Sequence, residues 1–379
     1  MKVIVLGSGL VGAPMAIDLA KDSGFSVSIA DVSSQALDKI GDEHPIRTIQ
    51  QDLSDPNRVR NLVSDFDIVV NAVPGFMGFQ TLRSIIEAGK NVIDIAFFPE
   101  DPFELDDLAK EKNVTAIVDC GVAPGMSNIL AGYVDSLLDN TDQILIYVGG
   151  LPETRIWPYE YKAPFSPIDV IEEYIRPARF VENGQLVIRP ALSDPELIDF
   201  PGVGTLEVFN TDGLRSLAKT IESPNMKEKT MRYPGHIDKM RMLRETGFFS
   251  QEEIDINGTM IRPIDLTSRL LFPMWEYAEG EADVTVMRVT VAGTKSGKKL
   301  RYTYDLIDRY DDSTKTLSMA RTTGYTATMA VRMLADGMYS TRGLSVPEYI
   351  GRNPDCVKFI LEGLKDRAVI YEETIEEVQ

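Results

Sequence analysis

The stretch Met1–Val32, MKVIVLGSGLVGAPMAIDLAKDSGFSVSIADV, decides the fold. Its apolar run Val3–Leu6 stops at Gly7, and a helix-period pattern resumes through Met15, Ile17 and Leu19. Strand, tight turn and helix are expected in succession. The turn is Gly7-Ser8-Gly9-Leu10-Val11-Gly12. In such a turn the first glycine permits the bend, the second lets a pyrophosphate approach the backbone, and the third lets helix and strand pack closely. The helix N-terminus adds free N–H groups and a partial positive charge. A second strand, Phe25–Ala30, ends at Asp31, roughly the twenty-residue offset at which an acid holds the adenosine ribose hydroxyls. Glycine spacing alone is a weak signal. Its conjunction with a preceding strand, a following helix, a second strand and an acid at that strand's tip reads as a dinucleotide site. Beyond Asp31 come Val32, Ser33 and Ser34 with no adjacent arginine. That arrangement would repel a 2′-phosphate, so NAD is expected rather than NADP.

The alternation continues outward. A helix over Ser33–Ile40 leads to a strand near Ile46–Ile49 with Asp52 at its tip, where an acid can accept from the adenine amino group or cap a surface turn. A helix over Asn57–Val63 precedes the strand Asp67–Val73, apolar enough to be buried on both faces. Asn71, Ala72, Val73 and Pro74 fall at its C-terminal end, the edge that faces the cofactor in an open parallel sheet. A helix over Gln80–Ala88, the strand Val92–Ile95, a helix over Phe103–Lys112 and the strand Val114–Val118 complete a doubly wound sheet of six strands. The sixth strand runs into Asp119-Cys120-Gly121-Val122-Ala123-Pro124-Gly125-Met126, which starts a helix and sets Asp119 where nicotinamide is expected.

From about Asp142 the pattern changes to strands with longer loops: Ile144–Gly150, Thr205–Phe209, Glu228–Gly235, and a hairpin of Val284–Ala292 with Leu300–Ile307. This reads as an α+β domain with a mostly antiparallel sheet. Tyr325–Met338 has helical spacing, and the acidic run Glu372–Glu377 is expected to be solvated.

Composition narrows the class. A chain of 379 residues is long for one core, so two domains are expected. With 39 basic and 58 acidic side chains, net charge −19, nucleic acid and anionic membrane are poor partners. Two cysteines, Cys120 and Cys356, make no disulfide framework and point to a reducing, cytoplasmic setting. Without C-x-x-C or H-E-x-x-H spacing, and with His44 and His236 far apart, no metal site is expected. The N-terminal apolar run is too short for a membrane span.

Several blocks carry a resemblance when taken together: DCGVAPGMSNILAGY (Asp119–Tyr133), IYVGGLP (Ile146–Pro152), YEYKAPFSP (Tyr159–Pro167), MRYPGH (Met231–His236) and MARTTGYTATMAVRMLADG (Met319–Gly337). In this order they resemble the saccharopine dehydrogenase-like family, and within it the lysine 6-dehydrogenase branch. The resemblance implies a dinucleotide-binding Rossmann domain over 1–124, a substrate-binding and dimerisation domain over 125–317, and C-terminal helices over 318–379 that partly return to the first domain. It also implies an NAD-linked reaction at an amine-bearing carbon, L-lysine to allysine with loss of ammonia, in a homodimer. Ala123 and Glu160 depart from the glutamate-forming pattern, which tilts the reading towards a simpler amine, while Ala96-Phe97-Phe98-Pro99 is more apolar than the lysine branch leads one to expect.

Oxidising an amine needs a neutral nitrogen, a hydride acceptor and a water for the imine. Asp119 is the first candidate to take the ammonium proton, with capping of the next turn as its structural alternative. His236, beside the Pro234-Gly235 turn, is the second catalytic candidate, as a proton shuttle or an orienting group. Glu160 would bind a distal ammonium. Arg232, or Lys162 beside Tyr161, would take an α-carboxylate. Phe165, Ser166 and Thr211 would line the pocket. Two other readings stay open: reductive coupling of an amine to a semialdehyde, as in saccharopine and carboxynorspermidine dehydrogenases, and a non-catalytic NAD-binding redox sensor.

Overall fold

The computed structural model describes residues 1–378. The chain forms two compact units, Met1–Leu137 with Met319–Tyr371, and Leu138–Ser318 with the tail from Glu372. The first segment runs β1 (Lys2–Leu6), α1 (Gly12–Ala20), β2 (Ser26–Asp31), α2 (Ser34–Glu43), β3 (Arg47–Gln50), α3 (Pro56–Val63), β4 (Ile68–Asn71), α4 (Gly75–Glu87), β5 (Asn91–Asp94), α5 (Asp106–Glu111), β6 (Thr115–Ile117) and α6 (Met126–Leu137). The middle segment carries β7 (Asn140–Pro152), α7 (Pro167–Ile175), β8 (Ala178–Glu182), β9 (Gln185–Arg189), β10 (Glu196–Phe200), β11 (Gly204–Asn210), α8 (Leu217–Thr220) and β12 (Asn225–Arg232). It continues with α9 (His236–Thr246), β13 (Ile254–Ile256), β14 (Thr259–Ile261), α10 (Pro263–Trp275), β15 (Asp283–Lys295) and β16 (Lys298–Arg309). The last segment is α11 (Ser318–Ala335), β17 (Gly343–Ser345), α12 (Pro347–Gly351), α13 (Pro354–Asp366) and β18 (Tyr371–Glu377).

The first unit holds a parallel sheet in the order β17-β6-β5-β4-β1-β2-β3. Val3–Leu6, Val69, Val70, Val92 and Ile93 are fully buried, as strands covered on both faces must be. Strand order reverses between β1 and β4, and ligands of open α/β sheets bind at that switch point. Glycine is required there by space. A Cβ on Gly7 would lie 2.5 Å from the Ala72 carbonyl oxygen, and one on Gly12 would lie 2.1 Å from that of Gly7.

Two expectations change here. A seventh strand, β17, pairs with β6; at three residues it is too short to show a period. Helix α6 belongs to the first unit rather than opening the second, because it packs backbone to backbone on α12. A Cβ on Gly132 would lie 2.4 Å from the Glu348 carbonyl oxygen, and one on Gly351 would lie 2.2 Å from that of Ile129. The return through α11–α13 places Met319–Tyr371 in the first unit.

That return is clamped by charge. Asp18 of α1 is 1% exposed. Its Oδ2 accepts from Arg332 Nη1 at 2.8 Å and Thr328 Oγ1 at 2.7 Å, and its Oδ1 from Arg367 Nε at 2.8 Å. Burial alone would raise its pKa, but Arg332, Thr328 and Arg367 hold it below the usual carboxylate value.

The second unit is a nine-stranded sheet along β10-β11-β12-β7-β15-β16-β18, with β8 on β12 and β9 on β8. β7 pairs parallel with β12 and antiparallel with β15, whose hairpin with β16 is the one expected. Helices α7, α9 and α10 bury Tyr161, Tyr174, Phe209, Ile237, Met240 and Trp275 in a common core. The acidic tail is not a free solvated run. It forms edge strand β18 beside β16, with its side chains exposed. Glu373 accepts from the Tyr304 hydroxyl and Glu377 pairs with Lys298 at 2.9 Å.

Removing the Asp18 carboxylate leaves Arg367 without its acid and the buried Arg332 with Asp22 alone. Asp18→Ala is expected to cost about 3–5 kcal/mol, read as a lowered midpoint in thermal unfolding followed by circular dichroism; an unchanged midpoint would show that the clamp carries no weight.

Candidate active site

At the switch point the glycine turn forms a cradle. Gly7 N donates to Ala30 O at 2.8 Å, tying the turn to β2. The Ser8 hydroxyl is buried and has no hydrogen-bond partner among the described residues. A Cβ on Gly9 would meet nothing within 4 Å, so that side of the turn is open. Helix α1 has no side-chain cap and no acid in its first turn. An orphaned hydroxyl, an uncapped helix N-terminus and an open glycine fit the phosphates of a dinucleotide. Asp31 accepts from Ser8 N at 2.7 Å and Ser33 N at 2.9 Å, so it also braces the turn against the start of α2. Leu10 and Val32 are exposed apolar side chains on the same turn and strand end. Ala72 and the buried Val73 follow β4, and Pro74 is exposed.

Two residues of the expected cofactor set do something else. Asn71 is fully buried, and its Nδ2 donates to Asp94 Oδ2 at 2.5 Å and to Gly78 O at 3.4 Å, bracing β4 against β5. Asp52 closes an Asx turn, accepting from Ser54 N at 2.9 Å and Ser54 Oγ at 2.6 Å. Those bonds hold its carboxyl below the usual range. Its turn-capping alternative is therefore the one its bonds describe.

Asp119 follows β6, buried and in the left-handed region at φ 51°. The next residue, Cys120, is fully buried, and its N–H donates to Asp94 O at 2.9 Å. Burial, then the charges of Asp119 and Asp94, push its thiol up to about 12, so it is no thiolate at neutral pH.

The second unit has its own polar seam. Glu228, Thr230 and Arg232 lie two residues apart on β12 and so share one face. Glu228 accepts from Thr211 Oγ1 and from Gly213 N at 3.1 Å, and Thr211 Oγ1 meets Thr230 Oγ1 at 2.9 Å. Arg232 is 3% exposed. Its Nε donates to Tyr174 Oη at 3.3 Å, Nη1 to Met231 O at 3.0 Å and Nη2 to Glu173 Oε2 at 2.7 Å. Its guanidinium carbon lies 4.5 Å from the centre of the Tyr161 ring.

Several sequence-assigned roles change with this geometry. Arg232 is not a free fork for a substrate carboxylate, because all three of its nitrogens are engaged and Glu173 is its counter-ion. Lys162 pairs with Glu281 Oε2 at 2.5 Å and donates to Glu276 O at 2.8 Å. Glu160 is held by Arg155 rather than open to an ammonium. His236 follows Gly235, whose φ of 87° turns the chain into α9. Its Nδ1 lies 3.0 Å from Tyr159 O and its Nε2 lies 3.0 Å from Tyr174 Oη. The carbonyl can only accept, so Nδ1 carries the proton and Nε2 accepts from the tyrosine. Burial, then the Arg232 charge, push its pKa down to about 3. A neutral ring bonded at both nitrogens positions Tyr174 and does not shuttle protons. Phe165 packs at the margin of the helical core and Ser166 precedes α7. Glu173, Tyr174 and Glu228 were missed; only Glu228 left a signal, its place in the two-residue alternation Glu228, Thr230, Arg232.

Burial raises the Glu228 pKa to about 8, with Thr211 opposing and the Glu173 charge adding. Its folded value exceeds the ordinary 4.5, so stability is full below that pH and is lost as pH rises to about 8, at up to about 1.4 kcal/mol per unit. His236 has the opposite sign: its folded value lies below 6.5, so stability is lost as pH falls from 6.5 towards 3. The two slopes cancel between 4.5 and 6.5. Glu228→Gln should therefore raise the thermal midpoint at pH 8 and leave it unchanged at pH 4.5; a gain independent of pH would contradict this assignment.

Comparison with known proteins agrees with the fold. A family model described as the saccharopine dehydrogenase NADP binding domain matches residues 3–117, and one described as the saccharopine dehydrogenase C-terminal domain matches residues 121–370. The bovine (Bos taurus) mitochondrial alpha-aminoadipic semialdehyde synthase is 22% identical over 98% of this chain, which spans 47% of that protein, about half its length. The NADP(+)-linked, L-glutamate-forming saccharopine dehydrogenase of Schizosaccharomyces pombe is 22% identical over 91% of this chain and 93% of its own. The carboxyaminopropylagmatine dehydrogenase of Synechocystis sp. is 23% identical over 97% and 98%. The structure of apo L-Glu-forming saccharopine dehydrogenase from Saccharomyces cerevisiae superposes with a TM-score of 0.80, 18% identity and 99% coverage of both chains. With one family model covering the cradle and a second covering most of the remaining chain, the protein belongs to the saccharopine dehydrogenase family.

Proposed function

We propose that the protein is an NAD(P)-dependent dehydrogenase acting at a carbon–nitrogen bond of an amino-acid-derived amine. The observation that carries this reading is the open glycine cradle with its orphaned Ser8 hydroxyl, in a family whose relatives are named for such reactions. A bound nicotinamide would supply the hydride acceptor or donor. The nitrogen must be neutral when hydride leaves its carbon, and Asp119, buried at the end of β6, is the carboxylate assigned to take its proton. The cofactor is read as NAD, since an acid held at the β2 tip by two backbone N–H groups disfavours a second phosphate there.

The names of the relatives favour a secondary amine made from, or cleaved into, an amine and a semialdehyde. Oxidative deamination of L-lysine to allysine is the second reading, supported by the departures at Ala123 and Glu160. The protein is further read as a cytoplasmic homodimer. Among the described residues no helix is long and apolar enough to cross a membrane. Leu266, Leu270 and Met274, four residues apart on α10, are 50%, 64% and 47% exposed, and the β13–β14 hairpin exposes Ile254, Ile256 and Met260. Apolar surface of this kind is suited to a second copy.

Assays with NAD and NADP, run oxidatively on L-lysine and on secondary amines and reductively on amine–semialdehyde pairs, should give turnover in one arm. Asp119→Asn should lower kcat by about 10²–10⁴-fold with cofactor binding retained. Tight NAD binding without turnover on the whole panel would replace the enzyme with the sensor reading. Light scattering should report a dimer that Leu270→Glu converts to monomer; a mass unchanged by that substitution would remove α10 from the interface.

A further inference from the structure

One buried acid of the second unit has no cation of its own. Arg232 pairs with Glu173, Arg179 with Asp212, Lys227 with Glu182 and Lys229 with Glu196. Glu228 shares β12 with three of those cations, is 4% exposed, and pairs with none among the described residues. Lys227 and Lys229 flank it in sequence and so point to the other face of the sheet. Asp212 lies between Thr211 and Gly213, both of which donate to the Glu228 carboxyl, and Glu173 is held by Arg232, four residues further along β12. Both neighbouring acids are matched, which leaves Glu228 as the surplus. A lone buried carboxylate is costly, and burial accordingly holds this group protonated up to about pH 8.

The carboxyl is nevertheless built for its ionised form. Thr211 Oγ1 and Gly213 N both donate to Oε2, and Thr211, its proton so used, accepts from the Thr230 hydroxyl at 2.9 Å. Donors that converge on one oxygen favour the charged state. A Cβ on Gly213 would lie 2.3 Å from Glu228 Oε2 and would displace the carboxyl. Gly213 is itself partly exposed, which puts the carboxyl one residue below the surface. Oε1 makes no hydrogen bond among the described residues and is not one of the atoms sealed from solvent without a partner. One oxygen is anchored and the other is left to a ligand.

We propose that Glu228, anchored by Thr211 and Gly213, is the receptor for an ammonium group of the substrate. This rests on the reading of the substrate as an amine; because Asp119 is assigned to the reacting nitrogen, the group that Glu228 takes is a second one. An ammonium supplies the missing cation and three N–H donors. Binding is an exchange in which the Glu228 proton passes to solvent and the carboxylate left behind pairs with the ammonium.

Calorimetry on the full chain tests the exchange without turnover, with 1,5-diaminopentane as the probe, 1,5-pentanediol as its uncharged counterpart and no cofactor added. At about pH 6, compared in two buffers of different ionisation enthalpy, the diamine should bind with release of about one proton. Glu228→Gln, which keeps the shape of the side chain, should weaken diamine binding at least about tenfold and abolish the release. Gly213→Ala, which pushes the carboxyl aside, should weaken it as well, and pentanediol affinity should follow neither substitution. Unchanged diamine affinity in Glu228→Gln, binding without proton release, or no diamine binding by the unmodified protein would each overturn the receptor. An enzyme that turns over an amino-acid-derived amine yet shows one of these results keeps its proposed function and loses this site; diamine binding with proton release but no turnover of any substrate does the reverse.

Discussion

A single carboxylate, that of Asp18, carries the arrangement of the first unit. It sits in the helix whose N-terminus opens the dinucleotide cradle, and it accepts from arginines at 332 and 367. Two cations around one buried acid leave a net positive charge, which Asp22 offsets by taking Arg332 Nε at 2.6 Å. The glycine turn can be compact because α1 lies close on β1, and α1 is held from its far side by side chains that belong to the end of the chain. The phosphate-binding end of this unit and its C-terminal helices are therefore one construction, although more than 300 residues separate the partners.

In the second unit the governing constraint is that buried cations find their acids within the unit. Arg232 has Glu173 and Lys162 has Glu281, while the exposed Arg155 takes Glu160. Isolated buried charge is costly, and a chain with 58 acidic side chains has no shortage of counter-ions. Residue type and position suggested that Arg232, or Lys162 in its place, was kept for substrate. Their pairing with Glu173 and Glu281 takes both out of that role.

The fold was legible where period and length were generous. β1, β4 and β15–β16 have apolar patterns long enough to identify, and the glycine spacing located the switch point. β17 was illegible because three residues carry no period, and α6 was assigned to the wrong unit because only packing at Gly132 and Gly351 decides its side. The tail was read as solvated from its charges, which is true of its side chains but not of its backbone. Site residues were harder still. Asn71 stands where a cofactor ligand is expected, yet its partner Asp94 lies 23 positions away and on another strand. His236 looks reactive in a sequence and is inert in the structure, since reactivity depends on a free nitrogen and on water, neither of which spacing reveals.

The first unit is built from two stretches of chain with all of the second unit except its tail between them. During synthesis the strands β1–β6 leave the ribosome long before the segment that supplies β17, Arg332 and Arg367. Until then Asp18 has no guanidinium to hold, one edge of the sheet lacks its neighbour, and α6 lacks the surface of α12. The inserted unit, whose sheet strands up to β16 are contiguous in sequence, is free to fold first, so the nucleotide-binding half is begun first and finished last.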